Sequence, residues 1–138
     1  MSDAGPISVA APKNDAETSV AELRALVQRF VDERDWRQFH TPKNLAMSVA
    51  IEAAELMEHF QWLTPEQSAG VSEDAGKLNA IGEELADVAC YLLALVNVLK
   101  LDLADCVSRK MIRNAAKYPA GEFRGRFGHD DPGPANSA

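Results

Sequence analysis

The stretch IEAAELMEHFQW, Ile51–Trp62, decides how the chain is read. Its apolar residues mark a helix meant for an interior, yet Glu52, Glu55 and Glu58 recur at every third position. An ionised carboxylate taken out of water is costly unless it is paired or bound to a metal. At about 100° per residue, Glu52 and Glu55 share one face, with Ser48 and His59 between them one turn to either side. Glu58 lies further round and is read as outside that site.

This helix is the second of four. Ser19 and Glu22 form a capping box, and Leu23, Leu26, Val27, Phe30 and Val31 follow at helical spacing, so a first amphipathic helix runs to about Asp35. Thr41 and Pro42 fit N-cap and N1 of the second helix, which reaches about Phe60. LTPEQSAGVSEDAG, residues 63–76, reads as a polar linker, and the third helix spans 77–100. Asp102 caps a fourth, Leu103 to Lys117, which Tyr118-Pro119 ends because the residue before proline disfavours the helical region. There is no strand alternation and no internal repeat. The expected fold is an all-α four-helix bundle, with a disordered segment at 1–16, a helical domain at 17–119 and a flexible tail at 120–138.

The third helix repeats the acidic pattern in EELADVACY, Glu83–Tyr91. Glu84 and Asp87 stand at i, i+3, with Tyr91 one turn beyond Asp87, while Glu83 lies about 100° away. Two antiparallel helices carrying such pairs bring Glu52, Glu55, Glu84 and Asp87 together. Carboxylates that close raise one another's pKa unless a cation neutralises them, so a divalent metal site is expected. All-oxygen donors favour a hard cation: Mg²⁺ with a phosphate-bearing substrate, Mn²⁺ as a substitute. A di-iron bundle needs Glu-x-x-His on two helices, whereas His59 follows Glu55 by four residues and the third helix has no histidine.

Composition narrows the partners. The net charge is -7 with no basic stripe, which argues against a nucleic-acid polymer but not against a small anion bridged by metal. Leu85 to Leu101, the most apolar stretch, is broken by Asp87, Asn97 and Lys100, so no membrane span is expected. The N-terminus lacks the features of a signal peptide, and Cys90 and Cys106 read as reduced thiols, making the cytoplasm the default. The second and third helices are apolar around most of their circumference. A homodimer or homotetramer is therefore expected to cover them, the alternative being short extra segments in the linker.

ERDWRQFHTPKNL, ELMEHFQW, EELADVACYL and KMIRNAAKYP, in this order from Glu33 to Pro119, resemble the MazG-like all-α nucleoside triphosphate pyrophosphohydrolases, and within them the dCTP pyrophosphatase branch. The resemblance implies hydrolysis of a nucleoside triphosphate to monophosphate and pyrophosphate, with Mg²⁺ on the two acidic pairs and assembly as a dimer or tetramer. It implies that Trp36, Gln38, Phe39, His40 and Trp62 line the base and sugar pocket, with Tyr91 reaching in. It also puts Lys110, Asn114 and Lys117 near the phosphates. Animal members of the branch carry a histidine on the first helix where this chain has Val27.

The expected activity is conversion of dCTP, or of modified and non-canonical triphosphates, in cleansing the nucleotide pool. The alternatives are a dUTP or broad-specificity pyrophosphatase and a non-catalytic bundle binding Mg²⁺–nucleotide. A carboxylate not saturated by metal can take the proton of the attacking water. Glu55 is assigned that role, with Glu52 as the equal alternative. Trp36 and Trp62 flank the second helix, and a straight helix would hold them nearly 40 Å apart. A pocket using both is expected to draw on a second subunit.

Overall fold

Capping side chains set the helix starts. The computed structural model of the protein describes residues 14–126, 128, 130 and 131. Its helices are α1 (Val20–Glu33), α2 (Pro42–Glu58), α3 (Pro65–Ala69), α4 (Ala75–Leu99), α5 (Leu103–Lys117) and α6 (Ala120–Phe123), with 3-10 turns at Trp36–Gln38 and Gly70–Glu73. Among the described residues there is no strand, so the chain is all-helical as expected. Ser19 and Glu22 close the capping box of α1, and Thr41 Oγ1 accepts the Asn44 N–H at the start of α2.

The chain divides into two compact units between Leu101 and Asp102. In the first, α2 and α4 form the main helix pair, and α1 and the Gly70–Glu73 turn also pack on α4. The core is small: Val31, Leu45, Val71 and, on α4, Ile81, Leu93, Ala94 and Val96. Leu45 is only 1% exposed. Truncating such a leucine to alanine costs about 2–5 kcal/mol.

The stretch expected to be a polar linker is partly helical. Thr64 and Gln67 make a capping box around Pro65 that starts α3, and Val71 in the following turn is buried. Asp74 then accepts from the N–H groups of Gly76 and Lys77 at 3.0 and 3.1 Å, so α4 begins at Ala75 rather than Lys77. Its far end turns at Lys100, whose φ of 54° is left-handed, and Leu101 N–H closes on Val96 O at 3.1 Å. That closure satisfies a terminal carbonyl where glycine is more usual.

In the second unit, Asp102 caps α5 by accepting the Asp105 N–H at 2.9 Å, and Tyr118-Pro119 ends it. The segment expected to be a tail contains α6, where Phe123 meets Tyr118 edge to face at 5.2 Å. The rest of the tail expectation falls largely on residues 127, 129 and 132–138, which lie outside the described residues. Most of the N-terminal expectation, residues 1–13, does so too; residues 14–17 form a hydrogen-bonded turn. No helix among the described residues is long and apolar enough to cross a membrane. Cys90 and Cys106 are free thiols.

Candidate active site

The α2–α4 pairing brings the two acidic patterns face to face. Carboxylate oxygens of Glu52, Glu55 and Glu84 lie within 4.8 Å of one another. Asp87 falls outside that group but is near enough to act on Glu52 through its charge. Burial, then the charges of Glu55, Asp87 and Glu84, push the Glu52 carboxyl above the usual carboxylate range. The metal expectation passes its chemical test here: the donors are all carboxylate oxygens, converging and mutually repelling, which suits a hard divalent cation. Glu58 is exposed and not of the group, and Glu83 accepts from Asn79 at 3.2 Å.

A cleft of about 280 Å³ opens between α1 and the C-terminal part of α4. Val27 and Val31 of α1 and Ala94 and Val98 of α4 form apolar walls. Arg37, His40, Asn97 and Lys100 bring polar groups. Asp87, Tyr91, Ala94 and Val98 are spaced i, i+4, i+7 and i+11, so the cleft and the acidic cluster share one face of α4. From Asp87 to Ala94 the helix rises about 10 Å.

Trp36 stands at the start of the turn that feeds α2. Its ring meets Phe30 edge to face at 5.7 Å and lies 6.4 Å from the His40 ring. Gln38 turns its amide back onto Asp35 O at 3.1 Å, and Phe39 is exposed. Tyr91 is half-buried on α4. Trp62, just beyond α2, is 86% exposed, and no ring contact to it occurs among the described residues. Lys110, Asn114 and Lys117 occupy one face of α5, in the second unit. Of the residues singled out from the sequence, the structure therefore groups the glutamates, and separately groups Trp36 with His40. Gln28, Val31, Arg37, Ala94, Asn97, Val98 and Lys100 went unrecognised as cleft residues because each reads locally as core or as a solvated polar side chain.

The MazG-like family model matches residues 47–126, which include both acidic pairs. The chain belongs to the MazG-like family. Among its relatives, dCTP pyrophosphatase 1 of Homo sapiens is 38% identical over 121 residues, covering 86% of this chain and 71% of that protein. The Bos taurus protein of the same name is 37% identical, covering 80% of this chain. The chain spans only 65% of the length of that bovine relative. A solved pyrophosphatase structure from Archaeoglobus fulgidus is also similar, at 39% identity and a TM-score of 0.66, covering 78% of this chain and 99% of that one. These relatives are named as pyrophosphatases.

Proposed function

We propose that this chain, a hydrolase of the nucleoside triphosphate pyrophosphatase class, converts dCTP or a related modified or non-canonical triphosphate to the monophosphate and pyrophosphate with Mg²⁺, in the cytoplasm. The observation that carries the reading is the shared face of α4, with converging carboxylates at one end and a nucleobase-sized cleft at the other. The names of the relatives support the substrate class.

Glu52, Glu55, Glu84 and Asp87 would hold the cation, Mg²⁺ or in its place Mn²⁺. Bound there, it would screen the carboxylates from the triphosphate and polarise the phosphoryl oxygens. Glu55, the exposed member of the converging group, accepts the proton of the attacking water; Glu52 is the alternative base. Water adds to one phosphorus of the α–β anhydride, that P–O bond breaks, and the leaving phosphate oxygen takes the negative charge. Trp36 and His40 border the base, Tyr91 lies along the path between cluster and cleft, and Gln38 and Phe39 complete the aromatic turn. Lys110, Asn114 and Lys117 are assigned to the phosphates.

A second copy of the chain completes the assembly. Leu78, Leu85, Leu92 and Leu99 recur every seventh residue on α4 and are 40% to 52% exposed. That spacing is a coiled-coil seam, and its natural occupant is another helix pair of the same kind. On this reading Trp62 stacks in the partner's site, and the four-helix bundle with 17–119 as its domain forms in a homodimer or homotetramer.

Val27 on the cleft wall, together with the donor-rich Arg37 and Lys100, favours a second reading in which dUTP or a broad set of triphosphates is hydrolysed. The decisive assay offers deoxy- and ribonucleoside triphosphates with Mg²⁺ and identifies products. Equal amounts of monophosphate and pyrophosphate are expected, with dCTP among the best substrates. Nucleotide binding without turnover of any triphosphate would leave only the non-catalytic bundle.

A further inference from the structure

The turn bearing Trp36 leaves α1 through Asp35, a non-glycine residue at φ 51°. That left-handed conformation is uncommon for a residue with a Cβ, aspartate being one of the few that adopt it, and neighbouring side chains can hold it in place. Three side chains do so here. The Arg37 guanidinium reaches back to the Asp32 carboxylate with both Nε and Nη2, the latter donating to Oδ2 at 2.7 Å. Gln28 Nε2 donates to the same carboxylate at 2.8 Å, and Gln38 donates to Asp35 O at 3.1 Å. The Arg34 guanidinium carbon lies 3.6 Å from the centre of the Phe30 ring that Trp36 touches.

We infer that the Asp32–Arg37 pair is a positioning device that fixes the Trp36–Gln38 turn, and with it Trp36 and His40, for the incoming base. This rests on the reading of Trp36 as a base-stacking residue. A guanidinium forked onto a carboxylate admits essentially one geometry. Arg37 lies between Trp36 and Gln38, so anchoring its side chain to α1 removes the turn's freedom to swing. The pair is exposed, and an exposed pair contributes little to global stability. Its effect is local, on a three-residue turn. The hydrogen bonds from Arg37 and Gln28 hold the Asp32 carboxyl at about 2, so the clamp is intact at neutral pH.

The test uses Asp32→Asn, which deletes the charge, and Asp32→Glu, which keeps it. In the nucleotide-free protein, with Trp62→Phe leaving Trp36 as the single tryptophan, Asp32→Asn is expected to raise acrylamide quenching of Trp36 while Asp32→Glu restores it. In the otherwise native chain, Asp32→Asn is expected to raise KM for the best triphosphate roughly two- to fivefold, with kcat and Tm little changed. Unchanged quenching overturns the clamp, whatever the substrate proves to be. Increased quenching with unchanged KM overturns its role in binding. If Trp36→Ala itself leaves every KM unchanged, the base-stacking reading falls and takes this role with it.

Discussion

Arg24 and Asn97 hold α1 to α4 by a reciprocal pair of hydrogen bonds. Arg24 Nε donates to Asn97 Oδ1 at 2.9 Å, and Asn97 Nδ2 donates to Arg24 O at 3.0 Å. Both side chains are half-buried, and Asn97 also lines the cleft. The contact thus ties together the two helices that wall the proposed base pocket. Asn97→Ala strands a guanidinium N–H and a carbonyl, which should cost about 1–3 kcal/mol in a urea unfolding curve. KM should rise with it. A variant as stable as the native chain would mean that water replaces the amide without loss.

Charge removal at the acidic cluster should separate stability from activity. Glu52→Gln or Asp87→Asn keeps the shape of the side chain and is expected to abolish turnover. The Glu52 carboxyl is raised by burial and then by its acidic neighbours, so the folded state holds this proton more tightly than the unfolded chain. Its contribution to the stability of metal-free protein is therefore greatest at low pH and falls as pH rises through the carboxylate range. Glu52→Gln should flatten that slope and raise the Tm of the metal-free protein at neutral pH. Near-native turnover of either variant at saturating Mg²⁺ would remove that residue from the ligand set.

How much of this was legible in the sequence follows from the range of each interaction. The Thr41 cap and the i, i+3 acidic pairs are local, so their faces could be read from helical period alone. The Thr64–Gln67 capping box was equally local, but no apolar periodicity followed it, and the segment passed for linker. The cleft could not be read at all. Val27 and Val98 are brought together only by packing of α1 on α4, and each looks like ordinary core. The Asp32–Arg37 pair was hidden for another reason: residues five apart do not face each other on a helix, and they meet here because Asp35 reverses the backbone.

Assembly can be tested on the leucine seam. The protein is expected to run as a dimer or tetramer by light scattering at micromolar concentration, and Leu85→Glu should shift it towards monomer. Gly82 adds a subtler probe, because a Cβ placed there meets nothing within 4 Å among the described residues. Within an isolated helix, Gly82→Ala should gain about 1 kcal/mol in propensity. If a partner helix packs against this glycine, the same change will weaken the oligomer while strengthening the protomer. A native chain of monomeric mass would overturn the assembly outright.

The last expectation concerns Trp62, which is 86% exposed and has no ring partner among the described residues, although the resemblance sets it beside the nucleotide. The 17 residues of α2 rise about 25 Å, and the Trp36 turn and Trp62 lie beyond its opposite ends. A single chain would have to fold Trp62 back along α2 to stack it on a base held near Trp36. A neighbouring copy needs no such bend. Trp62→Ala should therefore raise KM more than it lowers kcat, by roughly five- to more than hundredfold if a full stacking contact is lost. Mixing Trp62→Ala with Glu52→Gln protomers then distinguishes the two geometries. If Trp62 serves the partner's site, a hybrid dimer has one site with intact carboxylates and an intact tryptophan. At substrate concentrations far below KM, the mixture should outperform Trp62→Ala alone. If Trp62 serves its own chain, the only site with intact carboxylates still lacks the ring, and mixing brings no gain. Subunit exchange, verified by mass spectrometry, makes that second result conclusive.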